Sequence, residues 1–246
     1  MNFKTILLIV LLIALGVFGY FKWQVNGDIN SRFNQTQRYD LGKNGVVRWF
    51  LGLHRAGDAR KEYLANQGPI VIEWFKAASL DINEQLLKDF AKKVQDYTGR
   101  PTQILRGGGI SDGVVNLSDL SGFNLKASSD SGASTIVLFF VEDYKTRPEK
   151  VLSDTYGESG ILISMKAHRD FVKNYSYNLD NYYLSSLLKE FGHQIGLGDN
   201  DENNCVMNPE VGVAGMPYEN YGRTVATDYC QTEKNQIDQL RSFYQN

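Results

Sequence analysis

The chain begins with one long apolar run and continues with shorter apolar segments that polar turns separate. The run covers residues 5–21, contains no charged residue and is flanked by Lys4 and Lys22. Its roughly 17 residues are close to the minimum for a bilayer-spanning helix and slightly exceed the apolar core of a secretory signal peptide. The best candidate cleavage tripeptide, residues 17–19, fits the small-residue rule poorly. We therefore predict an uncleaved signal anchor over residues 1–23, with secretion as the alternative if this segment is cleaved.

The flanking charge predicts which side of the membrane the rest of the chain occupies. Lys4 and the amino terminus favour the cytoplasmic side, so the chain after residue 23 is expected outside the cytoplasm. Residues 24–67 mix charged residues, Asn and Gly without a clear period, and we interpret them as a juxtamembrane stalk. The predicted product is a single-pass membrane protein, attached through residues 5–21, with one extracytoplasmic domain over residues 68–246.

Four segments of that domain have the composition of β-strands. Residues 69–75 and 135–141 are rich in β-branched and aromatic residues, and the second is apolar on both faces, as in the middle of a sheet. Residues 103–105 and 160–166 resemble shorter strands. The stretch from 106 to 134 is rich in Gly, Ser and Asp and is predicted to be mostly loop. These segments predict a twisted mixed sheet of about four to five strands.

Helical periodicity predicts the remaining elements. After the first strand, apolar residues recur at helical spacing behind an N-cap signature of Asp81 and Glu84, and Gly99 ends the pattern. A second long helix with an apolar stripe begins at Asn178 or Asp180. A last amphipathic helix lies near the carboxyl terminus. The order of strands and helices predicts an α+β domain with two long helices and a C-terminal helix.

The net charge indicates which partners to expect, and the cysteine count indicates whether a disulfide is present. The formal net charge is −2, so the chain lacks the basic surface of a nucleic-acid-binding protein, and we expect no nucleic acid as partner. The two cysteines are Cys205 and Cys230. An even count in an exported chain favours a disulfide between them, whereas the alternative is two unpaired core residues.

The second long helix carries the residues with recognisable chemistry. The segment from Lys189 to Asp199 reads KEFGHQIGLGD. In zincin peptidases, two histidines one helical turn apart bind zinc, and a glutamate after the first histidine reaches the metal-bound water. In the elongated form, a glycine three residues after the second histidine breaks the helix, and the chain returns with a third ligand. Glu190, His193, Gly196 and Asp199 have these offsets, while Lys189 takes the place of the first histidine.

This pattern resembles the metzincin family of zinc metallopeptidases. Further on, residues 205–208 read CVMN and resemble the methionine turn that forms the floor of a metzincin site, with Met207 as its methionine. The resemblance covers roughly residues 69–244. The aspartate at the third ligand position and the placement of both cysteines are similar to the snapalysin family, and matrixins look like the next nearest relatives. The resemblance implies a metzincin-like (zincin) fold with a peptide or protein as substrate or ligand.

The resemblance also implies zinc as the cofactor, His193 and Asp199 as its ligands and Glu190 as the general base. Lys189 conflicts with that chemistry because lysines are protonated at neutral pH. Freeing an ordinary lysine amine at pH 7 costs about 3.4 pH units, or roughly 4.6 kcal/mol, a cost that histidine avoids. We therefore expect Lys189 not to be a ligand and zinc to bind weakly. An ammonium at the metal position could pair with Asp199 and Glu190; alternatively, Lys189 points to solvent.

Two functions fit these residues. The favoured one is a degenerate metallopeptidase homologue with a retained cleft, where residues 160–166 or the neighbouring strand captures an extended peptide by strand addition. The alternative is an active, membrane-tethered zinc endopeptidase that uses Glu190 as general base and another group, such as His168, to complete the metal shell. His168 has no ligand spacing and is interpreted as a surface loop residue. Residues 199–204 form an oxygen-rich loop that could bind calcium, although a solvated acidic loop is the simpler interpretation.

Overall fold

The computed structural model describes residues 3–25, 59–65, 67–123, 125–127, 133–145, 152–173, 178–202, 204–208 and 225–245. The chain divides into two compact units, residues 1–55 and 56–246. In the first unit, helix α1 extends over Phe3–Val25. Within the described part of the chain, no helix is both long and apolar enough to cross a membrane. Most of the predicted stalk, residues 24–67, lies outside the described residues.

The second unit begins with a short helix that the sequence pattern did not indicate. This helix, α2, covers Arg60–Leu64 and carries Tyr63 and Leu64 into the core, where both are fully buried. Just before it, the Ala59 backbone N–H donates a hydrogen bond of 3.0 Å to the carbonyl of Gln194. The last residues of the segment interpreted as a stalk are therefore packed into the folded domain.

The domain is organised around a five-stranded mixed sheet. Its strands and those of a small second sheet are β1 (Ile70–Ala77), β2 (Thr102–Ile110), β3 (Val114–Val115), β4 (Ser134–Val141), β5 (Asp143–Tyr144), β6 (Ser153–Tyr156) and β7 (Gly160–Ser164). The large sheet has the order β2-β1-β4-β7-β6, and β3 pairs with β5 alongside it. The pairs are parallel except that β6 runs antiparallel to β7. As predicted, β4 is the central strand, and it is buried over almost its whole length.

Two strand predictions need correction. The strand predicted over residues 160–166 ends at Ser164, because Met165–Lys173 form a further helix, α4. Residues 160–164 are also an inner strand, since β6 lies outside them and forms the edge of the sheet. The segment SDTY of β6 has no apolar pattern, so its pairing with β7, rather than its composition, makes it a strand. Likewise β2 extends through its glycines to Ile110 because it pairs with β1 over that length.

The long helices are α3 (Glu84–Thr98), α5 (Leu179–Gln194) and α6 (Gln231–Gln245). The N-cap of α3 is Asn83, whose side chain accepts from the N–H of Gln85, and not Asp81 as predicted. Gly99 ends α3 in the left-handed conformation, with φ of 71°. Asn178 caps α5 by accepting from two backbone N–H groups of its first turn.

Helix α5 is enclosed by the rest of the domain. It lies against α3, α4, β6 and β7, and nearly every residue from Tyr182 to Gly192 is buried. The sequence predicted one apolar face on this helix, but the helix is buried on almost all sides. Because the helix cannot rotate or shift within this packing, the side chains at its carboxyl end have fixed positions.

Candidate functional site

Helix α5 ends in a turn that sends the chain back towards the helix. The Leu197 N–H donates to the Gly192 carbonyl at 2.8 Å and the Gly196 N–H donates to the His193 carbonyl at 3.0 Å, which is a Schellman motif. Gly196 has φ of 95°, a region that favours glycine. A Cβ atom at Gly196 would also lie 2.8 Å from Nε of Arg60. Both the backbone conformation and the available space therefore require glycine at this reversal.

The reversal brings Asp199 close to the side chains of the last helical turns. The Nζ atom of Lys189 lies 3.3 Å from Oδ1 of Asp199 and donates to the carbonyl of Asn208 at 3.3 Å. The same Asp199 oxygen lies 3.7 Å from Nε2 of His193. The Lys189 side chain is 11% exposed, whereas that of Asp199 is 52% exposed. The ammonium therefore occupies the meeting point of these groups and does not point to solvent.

The imidazole of His193 is held as a neutral ring. Burial lowers its pKa, and nearby Lys189 acts in the same direction, whereas Asp199 opposes them. Its Nδ1 atom lies 3.2 Å from the carbonyl of Leu197. Because a carbonyl can only accept, Nδ1 carries the proton and Nε2 is the lone-pair nitrogen. The unprotonated nitrogen of His193 thus faces the pair formed by Asp199 and Lys189.

The Glu190 carboxyl has its hydrogen bond with the edge strand and not with Lys189. Its Oε1 atom accepts a hydrogen bond of 2.8 Å from the hydroxyl of Ser153 in β6. Burial raises the pKa of Glu190 to about 7; Asp154 and Asp199 act in the same sense, while the Ser153 hydrogen bond and Lys189 oppose it. The expected pairing of Lys189 with Asp199 is present, but the carboxylate of Glu190 has Ser153 as its hydrogen-bond partner.

The residues do not form a complete zinc site. Two ligands of a tetrahedral zinc ion are about 3.3–3.5 Å apart, so His193 and Asp199, at 3.7 Å, could share an ion. However, the Lys189 amine lies against the same Asp199 oxygen, and a protonated amine there repels a divalent cation. A catalytic site also needs a third protein ligand. While Lys189 is protonated, this donor set does not fit zinc.

A geometric cluster of metal-ligand residue types does occur nearby, but its chemistry excludes a metal site. Among the described residues, one group of three such side chains has ligand atoms within 4.8 Å of one another, namely Glu202, Cys205 and Cys230. The two cysteines are joined in a disulfide. A disulfide offers no thiolate, which is the form of cysteine that binds metals. The group is therefore a covalent link with an adjacent carboxylate.

The segment predicted to form a methionine turn, residues 205–208, which we continue to call the methionine turn, packs against α5. Met207 is fully buried, and a Cβ atom added at Gly192 would clash with its sulfur atom. The hydroxyl of Tyr229 donates to the carbonyl of Leu188 on the same side of the helix. Glycine at position 192 thus lets the methionine turn approach the backbone of α5. The contact places the carbonyl of Asn208, which follows Met207, beside Lys189.

A buried carboxylate holds this turn in place. Glu233 is 1% exposed and accepts hydrogen bonds from the backbone N–H groups of Met207 (2.7 Å), Val206 (3.3 Å) and Cys230 (2.9 Å). It also accepts one of 2.9 Å from Nδ2 of Asn200. One side chain therefore connects α6, the methionine turn and the loop that carries Asp199.

His168 was interpreted as a surface loop residue, and this is wrong. It lies in α4 and is completely buried. Its Nδ1 atom is 2.7 Å from the carbonyl of Ser164 and its Nε2 atom is 2.8 Å from the hydroxyl of Ser186. The sequence pattern predicted a strand over residues 160–166 with a loop after it, whereas residues 165–173 form helix α4. With both ring nitrogens engaged, His168 is not placed to complete a metal shell.

The oxygen-rich loop does not gather its side chains around one point. Asp199 pairs with Lys189, and the amide of Asn200 donates to Glu233. The partner of Asp199 lies in α5 and the partner of Asn200 lies in α6, so these two side chains do not converge as calcium ligands do. Residue 203 of the loop lies outside the described part of the chain.

Three residues of the site have no signal in the sequence. Ser153 lies in a polar strand without periodicity, and Asn208 contributes only its backbone carbonyl. In the sequence, Glu233 is recognisable only as an acidic residue in the first turn of α6, three positions after Cys230. That placement is ordinary for helix capping and does not by itself reveal contacts with the methionine turn.

No protein-family model matches the chain, and no curated protein matches it as a relative. Solved structures of archaeal proteins resemble it at 14% identity. The archaemetzincin of Methanopyrus kandleri has a TM-score of 0.47 and covers 72% of this chain and 96% of its own. The archaemetzincin of Archaeoglobus fulgidus in complex with malonate has a TM-score of 0.43, with coverage of 68% and 99%. A zinc-dependent peptidase from Methanocorpusculum labreanum has a TM-score of 0.45, with coverage of 68% and 99%. Likeness at this distance carries no argument about chemistry, which rests on the residues above.

Proposed function

We propose that residues 59–245 are a metzincin-like metallopeptidase homologue in which the ammonium of Lys189 takes the place of the metal cation. The domain binds extended peptides in its cleft without zinc-dependent hydrolysis. The observation that carries this proposal is the position of Nζ of Lys189, 3.3 Å from the Asp199 oxygen that also faces His193. Zinc would need that same oxygen as a ligand, so the ammonium and the metal ion compete for one position.

Charge balance supports the exchange of metal for ammonium. The single positive charge of Lys189 meets the single negative charge of Asp199, and the imidazole of His193 is neutral. The ion pair of Lys189 and Asp199 therefore needs no further cation to balance its charge. Without a metal-bound water, Glu190 has no hydrolytic nucleophile to activate, and its hydrogen bond with Ser153 becomes a link between α5 and the edge strand.

The peptide-binding part of the proposal rests on strand β6. Among the described strands, β6 pairs with β7 alone, so one side of it is open to another strand. The Ser164 N–H donates to the Leu152 carbonyl, which places Leu152 and alternate residues after it in the ladder with β7. Thr155 falls between them, so its carbonyl and its N–H face the open side, where the N–H donates to the side chain of Asp154. An extended peptide can pair with these groups beside the carboxyl end of α5.

Fluorescence anisotropy with a labelled pool of short random-sequence peptides that contain no Asp or Glu, in the presence of a metal chelator, tests this proposal. We expect saturable binding to the native domain. Thr155→Pro removes the outward N–H and should abolish binding, whereas the matched variant Thr155→Val keeps that N–H and should bind normally. Thermal unfolding of each variant checks that the domain remains folded. Binding that Thr155→Pro leaves unchanged, or stoichiometric zinc with peptide hydrolysis, would contradict the proposal.

A zinc-dependent endopeptidase is the second candidate, and one observation favours it. The pKa of Glu190 is raised to about 7, which suits a general base or acid at neutral pH. This function requires Lys189 to release its proton and bind the metal. If it is correct, hydrolysis of the same peptides is lost on chelation and in Glu190→Gln, and readdition of zinc restores it only to the native chain.

The location of the domain is also part of the proposal. The disulfide between Cys205 and Cys230 supports a compartment outside the cytoplasm, where such bonds persist. Attachment to a membrane through residues 5–21 remains a prediction. The finer likeness to snapalysins or matrixins likewise remains a prediction, based on Asp199 and the positions of the cysteines.

A further inference from the structure

The opposite edge of the sheet is also open. Strand β2, Thr102–Ile110, pairs with β1 alone among the described strands, and it is nine residues long. Several of its residues are exposed, namely Gln103, Leu105, Arg106, Gly108 and Gly109. Leu105 is 51% exposed, which is high for a large apolar side chain. Proteins usually protect long edge strands because their free N–H and carbonyl groups bind other strands.

A cavity of about 270 Å³ lies beside this edge, at the carboxyl ends of β1 and β2. Trp74, Lys76, Arg106 and residues 107–109 line it. The guanidinium of Arg106 lies over the ring of Trp74, 5.4 Å from the ring centre. This stacking fixes the cation in position at the mouth of the cavity.

Two cationic side chains line the cavity. Within the described residues, Arg106 has no carboxylate at salt-bridge distance, and the amine of Lys76 donates to the carbonyl of Leu80. The charge of Lys76 also acts on the carboxylate of Asp112, which accepts hydrogen bonds from both the N–H and the hydroxyl of Ser79. Two cations next to an aromatic floor suit a carboxylate on a partner.

The glycines of β2 leave space for another backbone. At Gly107, an added Cβ would clash with the ring of Phe75, so internal packing explains that glycine. At Gly108 and Gly109, an added Cβ would meet nothing within 4 Å. Glycine weakens a strand and often marks a place where a second backbone approaches closely. Among the described residues, no packing contact accounts for these two glycines. The register shift between the pairs Trp74–Arg106 and Lys76–Gly109 places Gly108 in a β-bulge, where glycine is also common.

From the open edge, the cavity and its charge together, we propose that β2 binds an extended peptide strand with an acidic side chain. The peptide backbone pairs with β2 along the glycines, and its carboxylate is seated between Arg106 and Lys76. This surface lies at the opposite edge of the sheet from β6 and does not depend on the function proposed for the cleft.

The test is anisotropy with two labelled peptides that alternate Thr and Val and differ at the central residue, which is Glu in one and Lys in the other. We expect the native domain to bind the Glu peptide more tightly. Arg106→Glu should weaken that binding by about tenfold or more, because a like charge replaces the partner of an ion pair. Gly108→Val should abolish the preference for the Glu peptide over the Lys peptide without unfolding the domain, since its side chain projects into open space.

Gly122→Val is the matched control, because an added side chain there also meets no neighbour but lies away from β2. Thr155→Pro, which blocks the other edge, should leave the preference for the Glu peptide over the Lys peptide unchanged, so the two proposals fail separately. Equal binding of both peptides, or native-like binding by Arg106→Glu and Gly108→Val, would overturn the inference. A concentration-dependent dimer that Gly108→Val abolishes, with no peptide binding, would also overturn it in favour of pairing between two copies.

Discussion

The floor of the site and its centre are held by opposite kinds of interaction. In the floor, the carboxylate of Glu233 is 1% exposed and accepts four hydrogen bonds, three of them from backbone N–H groups. In the centre, Lys189 and Asp199 form an ion pair of 3.3 Å in which the aspartate is 52% exposed. The floor is a buried and satisfied network, whereas the centre is an ion pair that water partly screens.

This difference separates the contacts that shape the cleft from the ion pair at its centre. The methionine turn contacts α5 through Met207 and Gly192, and Glu233 holds that turn from the other side. None of these contacts involves the Lys189 amine. The shape of the cleft therefore depends more on Glu233, Met207 and Gly192 than on the ion pair between Lys189 and Asp199.

The strongest way to break the floor is Glu233→Ala. The N–H groups of Val206, Met207 and Cys230 would be left without their acceptor, and two of these residues are fully or almost fully buried. We expect the free energy of unfolding to fall by about 3–5 kcal/mol. Urea denaturation measures this loss. The control is Gln239→Ala, at an exposed position on the same helix, which should change stability by less than about 0.5 kcal/mol. A loss at Glu233 as small as the control would show that the network is not essential.

The pH dependence of the free energy of unfolding tests Glu190 independently of the Glu233 network in the floor. Its pKa rises from an ordinary value of 4.5 to about 7 in the folded state, so folding favours the protonated carboxyl. This contribution is fully present below about pH 4.5 and is lost as pH rises through about 7. We expect the free energy of unfolding to fall by up to about 3 kcal/mol across that window, as thermal or urea denaturation would record.

Glu190→Gln is the control for this pH profile. His193, whose pKa burial lowers, acts in the opposite sense, so the native profile combines both groups. The difference between native and Glu190→Gln isolates the carboxyl. Parallel profiles for the two proteins would mean that Glu190 is ionised normally in the folded domain.

The smallest effect is expected at the centre. Lys189→Met keeps the length and apolar stem of the side chain but removes the charge. Because Asp199 is half-exposed, water can solvate the carboxylate that is left behind. The carbonyl of the buried Asn208 also loses its hydrogen-bond donor, so we expect the free energy of unfolding to fall by about 1–2 kcal/mol, measured by urea denaturation. A loss comparable to that of Glu233→Ala would remove the distinction between floor and centre.

The sequence predicted the elements whose pattern is intrinsic to them. The buried strand β4 and the helices α3 and α5 were recognisable from apolar periodicity and capping residues. The edge strand β6 was not, because its four residues are polar and depend on β7 for their conformation. Helix α4 follows β7 without an intervening turn, so no turn residue in the sequence marks where the strand ends and the helix begins.

The residues of the site also fall into two groups, those that the sequence predicted and those that it did not. The spacing from Lys189 to Asp199 predicted a cluster that depends on one helix and one turn, and the structure brings Lys189, His193 and Asp199 together. The direction of Glu190 towards Ser153 could not be predicted, since it depends on a strand distant in sequence. The role of Glu233 was hidden for the same reason. Contacts between distant segments leave no local pattern.

The central claim is that the Lys189 ammonium occupies the place of a metal cation, and calorimetric titration with zinc at pH 7 tests it most directly. We predict that the native domain binds zinc weakly, and that Lys189→His, which supplies the missing nitrogen donor, binds it at least about a thousandfold more tightly. Equal zinc affinity in the native domain and in Lys189→His would contradict the account.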